Sequence, residues 1–383
     1  MKTARKRVLV LSFSPLDRDP RVRRQLEFLK QTHDVTAAGF TDPCMDWVRF
    51  VPLENSARTR AGRLLSVALL QMRQYERFYW SHPRVLYAVK QLENLPCDVV
   101  LANDLEALPL ACRLARRASA KVFFDAHEYA PREFEDLLVF RMFFSKYRDA
   151  LCRRYLSQAD AMTTVGQGIK EEYEKVYGVQ CGVITNAPAY ARVEPSPVAP
   201  GAIRMVHHGM ANRSRRLENM VSLAERLDER FSLDMILVNS DPPYFKKLLR
   251  QAAHLKKVRI LPPVPFKDIG PVLQCYDVGL FLLYPVNFNY QHALPNKLFE
   301  FMHAGLAVAV WPSPEMKRVV EQYGCGVAGD DFSVTSMARR LNGLSSQDVE
   351  RFKQKSCEAA KDLCAQKNKE KFLEIIHKLV GEP

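Results

Sequence analysis

The stretch 290–316, YQHALPNKLFEFMHAGLAVAVWPSPEM, holds the residues whose types and spacing best suit chemistry. Pro295 can open a helix, which leaves the amides of Asn296, Lys297 and Leu298 at its unpaired N-terminus. Such amides, joined by the charge of Lys297, attract phosphate. Glu300 falls one turn further on, where its carboxylate can accept hydrogen bonds from ribose hydroxyls. The same spacing also describes a capped packing helix ended by Ala304-Gly305. A second stretch, MVHHGMANRSRRLE at 205–218, reads as strand, glycine, basic loop and helix. Gly209 lets backbone approach a ligand, and arginines at a helix start can clamp a diphosphate. Read alone, three loop arginines are more often a solvated surface. Of His207 and His208, one suits the core and the other the ligand side. In the N-terminal half, FFDAHE at 123–128 ends a strand and sets His127 and Glu128 in the loop that follows.

The elements that must position these residues alternate along the chain. Short, nearly continuous apolar runs at 8–13, 35–40, 98–102, 121–125, 161–164 and 182–184 read as parallel strands buried on both faces. Helical patterns at 20–31, 105–117 and 134–156 lie between them, the first with Asp19 as cap and Pro20 in the first turn. At 186–200 the pattern breaks into NAPAYARVEPSPVAP, a linker composition. Strands then resume at 203–208, 233–238, 258–260, 278–283 and 307–310. Helices fit 217–227, 244–253, 296–304 and 314–323, and the chain reads helical from 346 to its end. Two successive βα arrays imply an α/β protein of two doubly wound domains, with ligands beyond the carboxyl ends of the strands. The boundaries read as 1–186, a linker at 187–202, 203–365, and a C-terminal helix at 366–383 directed back to the first domain. Strand order is not readable from the sequence.

The motif at 294–300 with Ala304-Gly305 resembles the C-terminal signature of the retaining GT-B glycosyltransferases, and of glycosyltransferase family 4 in particular. That resemblance implies two Rossmann-like domains facing each other across a cleft. It implies a nucleotide-sugar donor, with Glu300 on the ribose and the amides near Asn296–Leu298 on the diphosphate. It is densest over 203–329. It maps a phosphate-binding basic residue to Arg215, with Arg213 and Arg216 as rivals, and sets 261–266 beside the base through backbone groups, which suits uracil. A UDP-sugar is therefore the expected donor, as substrate and not as cofactor. Asp277 matches a structural aspartate. FFDAHE resembles a family element in which the residue equivalent to His127 bonds the transferred sugar or reaction centre, with Glu128 a weaker acceptor contact. Many members carry a second glutamate eight positions before the ribose residue. Here that position is His292, which leaves the sugar-facing contact open, with Gln291 and His292 as the candidates for it. After the first strand the family's glycines are missing, and Arg21 or Arg24 stands as a diphosphate or acceptor contact beside plain solvated helix arginines. Asn103, Asp104 and Glu106 line the acceptor side. Retention of configuration and independence of metal follow from the same resemblance. A nucleotide-sugar epimerase of this architecture and an inactive binding subunit remain as alternatives.

Composition narrows the partners. With 47% hydrophobic and 26% charged residues the chain of 383 is globular, and too long for one core. A net charge of +13 favours anionic partners, but no nucleic-acid-binding pattern accompanies it. The nine cysteines are scattered without metal spacing, which suits reduced thiols and no metal site. No signal segment or spanning run is evident, so a cytoplasmic protein is expected. Residues 58–84 mix six arginines with apolar side chains and a single acid, Glu76. They read as a helix packed on its sheet or as a peripheral contact with an anionic membrane. On the second reading the acceptor, a saccharide in the simplest case, is lipid-linked.

Overall fold

Apolar alternation decides the architecture. In the first strand Leu9 and Leu11 face one core cluster while Val8 and Val10 face the opposite side of the sheet, all four buried. The structure, a computed structural model, describes residues 5–265 and 268–381. It forms two compact units. The N-terminal unit runs through Thr185 and includes Asn287–Asn289 and the residues from Asn368 on; the C-terminal unit comprises Asn186–Val286 and Tyr290–Lys367.

The N-terminal unit is built on seven parallel strands: β1 (Arg7–Ser12), β2 (Asp34–Gly39), β3 (Arg49–Pro52), β4 (Val99–Asn103), β5 (Lys121–Ala126), β6 (Ala161–Thr164) and β7 (Gly182–Val183). Their order is β3-β2-β1-β4-β5-β6-β7. The sequence reading missed β3, a four-residue edge strand ending in proline, which carries little periodic signal. One flank is covered by the helix Pro20–Leu29, whose N-terminus Asp19 caps through the amides of Arg21 and Val22. Phe372 of the last helix packs against Phe28 and Phe123. The expected helix at 134–156 is broken into a π-helical turn, Phe140–Phe144, then Ser145–Tyr155 and a short 3-10 turn. Leu137, Leu138 and Val139 are exposed, so no core contact holds the first turns of that pattern in an α-helix.

The C-terminal unit carries six parallel strands: β8 (Ile203–Met210), β9 (Phe231–Val238), β10 (Val258–Leu261), β11 (Val278–Phe281), β12 (Ala307–Val310) and β13 (Gly326–Ala328). The order β10-β9-β8-β11-β12-β13 repeats the winding of the first sheet. Both sheets therefore reverse direction beside their first strand, between β1 and β4 and between β8 and β11. Such a reversal leaves a crevice at the carboxyl ends, where ligands bind.

The helix Asn296–His303 is seated by Leu298, Phe299, Phe301 and Met302, all fully buried. Each is worth about 1.5–3 kcal/mol on burial. Phe301 rests where Gly279 of β11 has no side chain: a Cβ there would meet the ring at 2.2 Å. Asp277, expected to be structural, is buried and accepts bonds from the Arg204 amide and from Lys353, itself buried.

Candidate functional site

In the C-terminal unit, β8 ends at the crevice in His208 and Gly209. Gly209 adopts φ +134°, a conformation that side chains rarely tolerate, and a Cβ there would lie 2.6 Å from Lys297 Cε and 3.2 Å from Arg215 Nη1. Two cations thus converge over one glycine. Lys297 stands over the Phe281 ring at 5.7 Å. Burial, then the neighbouring Arg215, pushes its ammonium down to about 8, while Glu300 acts the other way. Part of Lys297 still reaches solvent, so the ammonium is recessed and not sealed in a core. Arg215 Nη1 is buried without a hydrogen-bond partner among the described residues. Like charges held this close, with a donor unused, form a site that an anion completes.

The structure separates the three candidate arginines. Arg213 pairs with Asp241 at 2.7 Å and Arg216 stacks on Tyr284 at 4.0 Å; Arg215 faces Gly209. Ser214 Oγ lies 3.0 Å from Tyr290 Oη, tying this loop to the segment before Pro295. Within that segment Gln291 is exposed and His292 is half-buried.

The three helix-start amides differ. The Leu298 amide donates to the Pro295 carbonyl at 3.1 Å and its side chain is in the core, so it is already engaged. The Asn296 and Lys297 amides have no hydrogen-bond partner among the described residues. Glu300 Oε2 lies 3.0 Å from His208 Nε2, a coupling the sequence reading did not foresee. His207 is the core histidine. Its Nδ1 bonds the Leu280 carbonyl at 2.9 Å, and burial, then the charge of Lys297, holds it far below its usual range and neutral. Beside His208 and Gly209 opens a small apolar cavity of about 60 Å³, lined by Ile236, Pro263, Val264 and Ile269 among others. Phe266, expected near the base, lies outside the described residues.

In the N-terminal unit the ends of β4 and β5 gather a different set. His127 Nδ1 lies 3.1 Å from Asp104 Oδ2, and its Nε2 lies 3.1 Å from Asn103 Oδ1 and 3.7 Å from Asp125 Oδ2. Asp104 also accepts the His127 amide at 3.0 Å, so it holds that residue at both ends. It does so from a left-handed backbone, φ +64°, which aspartate tolerates better than most residues. Turning the Asn103 amide would let its NH₂ donate to Nε2 while Nδ1–H donates to Asp104. Asp104 and Glu128 both reach solvent, yet surrounding protein raises both carboxyls; burial acts first, and Glu128 comes to about 7 with Asp104 adding to it.

Beneath this cluster, Asp125 Oδ1 and Oδ2 each accept from Arg21 at 2.5 Å, with Thr163 at 2.7 Å and Gln25 at 2.5 Å completing the set. Burial would raise the Asp125 carboxyl; Arg21 outweighs it and holds the group below its usual range. Arg21 is buried with it, its guanidinium engaged by this carboxylate. Removing either partner of such a pair costs about 3–5 kcal/mol. Arg24 is half-buried on the same helix. Among the described residues no group of three or more His, Cys, Asp or Glu side chains could hold a metal ion, and no helix is long and apolar enough to cross a membrane.

Solved structures share this fold. HepE of Anabaena in complex with UDP is 13% identical, with 97% of this chain and 99% of that one covered and a TM-score of 0.73. Sucrose-phosphate synthase of Thermosynechococcus elongatus is 13% identical, with 98% and 100% covered and a TM-score of 0.71. The fold is that of the GT-B glycosyltransferases. WaaG, a glycosyltransferase involved in lipopolysaccharide biosynthesis, gives a TM-score of 0.64 at 13% identity over 97% of this chain and 99% of its own. The family described as Glycosyltransferase Family 4 matches residues 26–188. That match lies in the N-terminal half, whereas the signature read from the sequence lies at 203–329. A search of curated proteins finds no match.

Proposed function

We propose that this GT-B chain transfers a sugar from a nucleoside-diphosphate sugar, UDP-linked, to a hydroxyl of a saccharide or lipid-linked acceptor, with retention and without a metal. The observation that carries the reading is the convergence of Lys297 and Arg215 over Gly209, one helical turn from the Glu300–His208 pair. In this reading Gly209 admits the diphosphate, and Arg215, Lys297 and the Asn296 and Lys297 amides bind it. Glu300 takes the ribose hydroxyls, with His208 as its positioning residue, and the small apolar cavity borders the base. Positive charge fixed where the leaving diphosphate gains negative charge lowers the barrier without reorganising during reaction. The acceptor oxygen forms a bond to the anomeric carbon as the bond from that carbon to the diphosphate oxygen breaks. The acceptor proton passes to the departing diphosphate. His127, oriented by Asp104, is assigned to the sugar end of the donor, with Glu128 and His292 as further candidates there. Support comes from HepE, solved with UDP and with UDP-glucose on the same fold.

The test is calorimetric titration of UDP and UDP-sugars into the wild type and Glu300→Ala. Loss of a charge-assisted contact predicts roughly 10–100-fold weaker UDP binding with an unchanged circular dichroism spectrum. Equal affinity in both proteins would remove Glu300 from the ribose. Donor turnover to an epimer without release of UDP would favour the epimerase reading instead.

A further inference from the structure

One face of the N-terminal unit is turned inside out. Among the described residues, ten of thirteen exposed large apolar side chains fall between 64 and 142. On the helix Arg60–Gln71, Ser66 and Leu70 are buried while Leu64 is 75% exposed, with Leu65 and Val67 also outside. This helix packs against the π-helical turn Phe140–Phe144, beside which Leu138 is 62% exposed. Exposed apolar side chains gathered on neighbouring elements in this way mark a binding face. The helix half of this face is basic: residues 57–73 contain four arginines and no acid, and Arg60 and Arg63 have no ion-pair partner among the described residues, whereas the adjoining stretch carries Glu133, Glu135 and the exposed Asp136.

Under this face lies a cavity of about 590 Å³, within the size range of ligand pockets. Its lining combines Phe78, Phe144 and Tyr147 with Arg63, Arg84 and Arg148. Burial, then the charges of Arg84 and Arg58, lowers His82 in the same wall to about 4. Glu106 lines the cavity and pairs with Arg84 at 3.3 Å; it lies two residues from Asp104, which holds His127. One short loop thus builds both the cavity wall and the His127 cluster.

We propose that this face docks on an anionic lipid bilayer and that the cavity receives the chain of an anionic lipid, which makes the acceptor of the proposed transfer lipid-borne. The inference rests on the transferase reading for the word acceptor alone. Outward leucines insert among acyl chains, the unpaired arginines meet anionic headgroups, and the aromatic cavity takes one chain out of water.

The test measures sedimentation of the full chain with phosphatidylcholine vesicles and with vesicles containing phosphatidylglycerol. Binding is expected for the second alone and should fall as salt rises. The double variant Leu64→Glu/Leu138→Glu should bind roughly tenfold more weakly or worse. Leu249→Glu, an exposed leucine of the C-terminal unit, brings the same charge change per site and should bind as the wild type does. Displacement of a fluorescent anionic fatty acid by phosphatidylglycerol but not by glycerol phosphate should show that the chain, and not the headgroup alone, occupies the cavity. No preference for anionic vesicles, equal loss in Leu249→Glu, or competition by glycerol phosphate overturns the proposal. So does self-association abolished by the double variant in the absence of vesicle binding. UDP titration of the same samples keeps the two readings apart. Vesicle binding lost while UDP still binds removes only the lipid inference; UDP binding absent while vesicles bind removes only the transferase reading.

Discussion

The two sheets share one winding order and end in opposite electrostatics. At the reversal beside β8 the C-terminal unit gathers Arg215 and Lys297 over a bare glycine, and Glu300 lies beside His208. At the reversal beside β1 and β4 the N-terminal unit gathers Asp104, Asp125 and Glu128 around His127, with the cation Arg21 consumed by Asp125. The winding decides where a ligand can sit. The side chains at the strand ends differ: cations gather in one unit, carboxylates and an imidazole in the other.

That contrast can be broken in order of effect. His127→Ala should lower turnover by about 10²–10⁴-fold, the range for a positioned acid–base or polarising group. Its UDP affinity should move by less than about twofold, because a group acting only in the transition state leaves ground-state binding alone. Steady-state kinetics beside calorimetry measures both, and equal losses in the two would merge the roles the comparison separates. Next, Lys297→Met should weaken UDP by roughly 10–100-fold and also lower turnover at saturating donor, because the same charge meets the leaving diphosphate. The smallest effect sharpens the same point through pH. Lys297 is held down at about 8, and a bound diphosphate favours its charged form. Below that value the ammonium is present before binding. Above it, binding must take up a proton, so UDP affinity should fall by up to about tenfold per pH unit as pH rises past 8. Lys297→Arg should flatten that decline up to pH of about 9, since guanidinium does not titrate there; an unaltered slope would assign it to another group.

Much of this was legible in the sequence. Buried strands such as 121–125 announce themselves as apolar runs, and Pro295-Asn296-Lys297 announces a helix start, because both are local facts. What was not legible depends on partners far along the chain. Arg21 looks like a surface helix residue until Asp125, 104 positions away, is folded against it. The use of the Leu298 amide by the Pro295 carbonyl is a matter of how tightly one turn closes. What distinguishes Arg213, Arg215 and Arg216 are the partners Asp241 and Tyr284, neither of which the local pattern contains. For Asp104 a signal did exist: an Asn-Asp pair at a strand end is a natural place for a left-handed residue.

Gly279 and Phe301 have a consequence for how this protein can change over time. Each is unremarkable alone, a strand glycine and a buried ring, yet the ring occupies the volume a side chain at 279 would need. Enlarging Gly279 first drives a Cβ into the ring, and trimming Phe301 to alanine first leaves a void costing about 3–5 kcal/mol. Either step taken singly crosses a valley of reduced fitness. Descendants of this chain should therefore keep the pair or exchange both members together, and a record of such joint substitutions would trace the spacing that sets Lys297 above its strand.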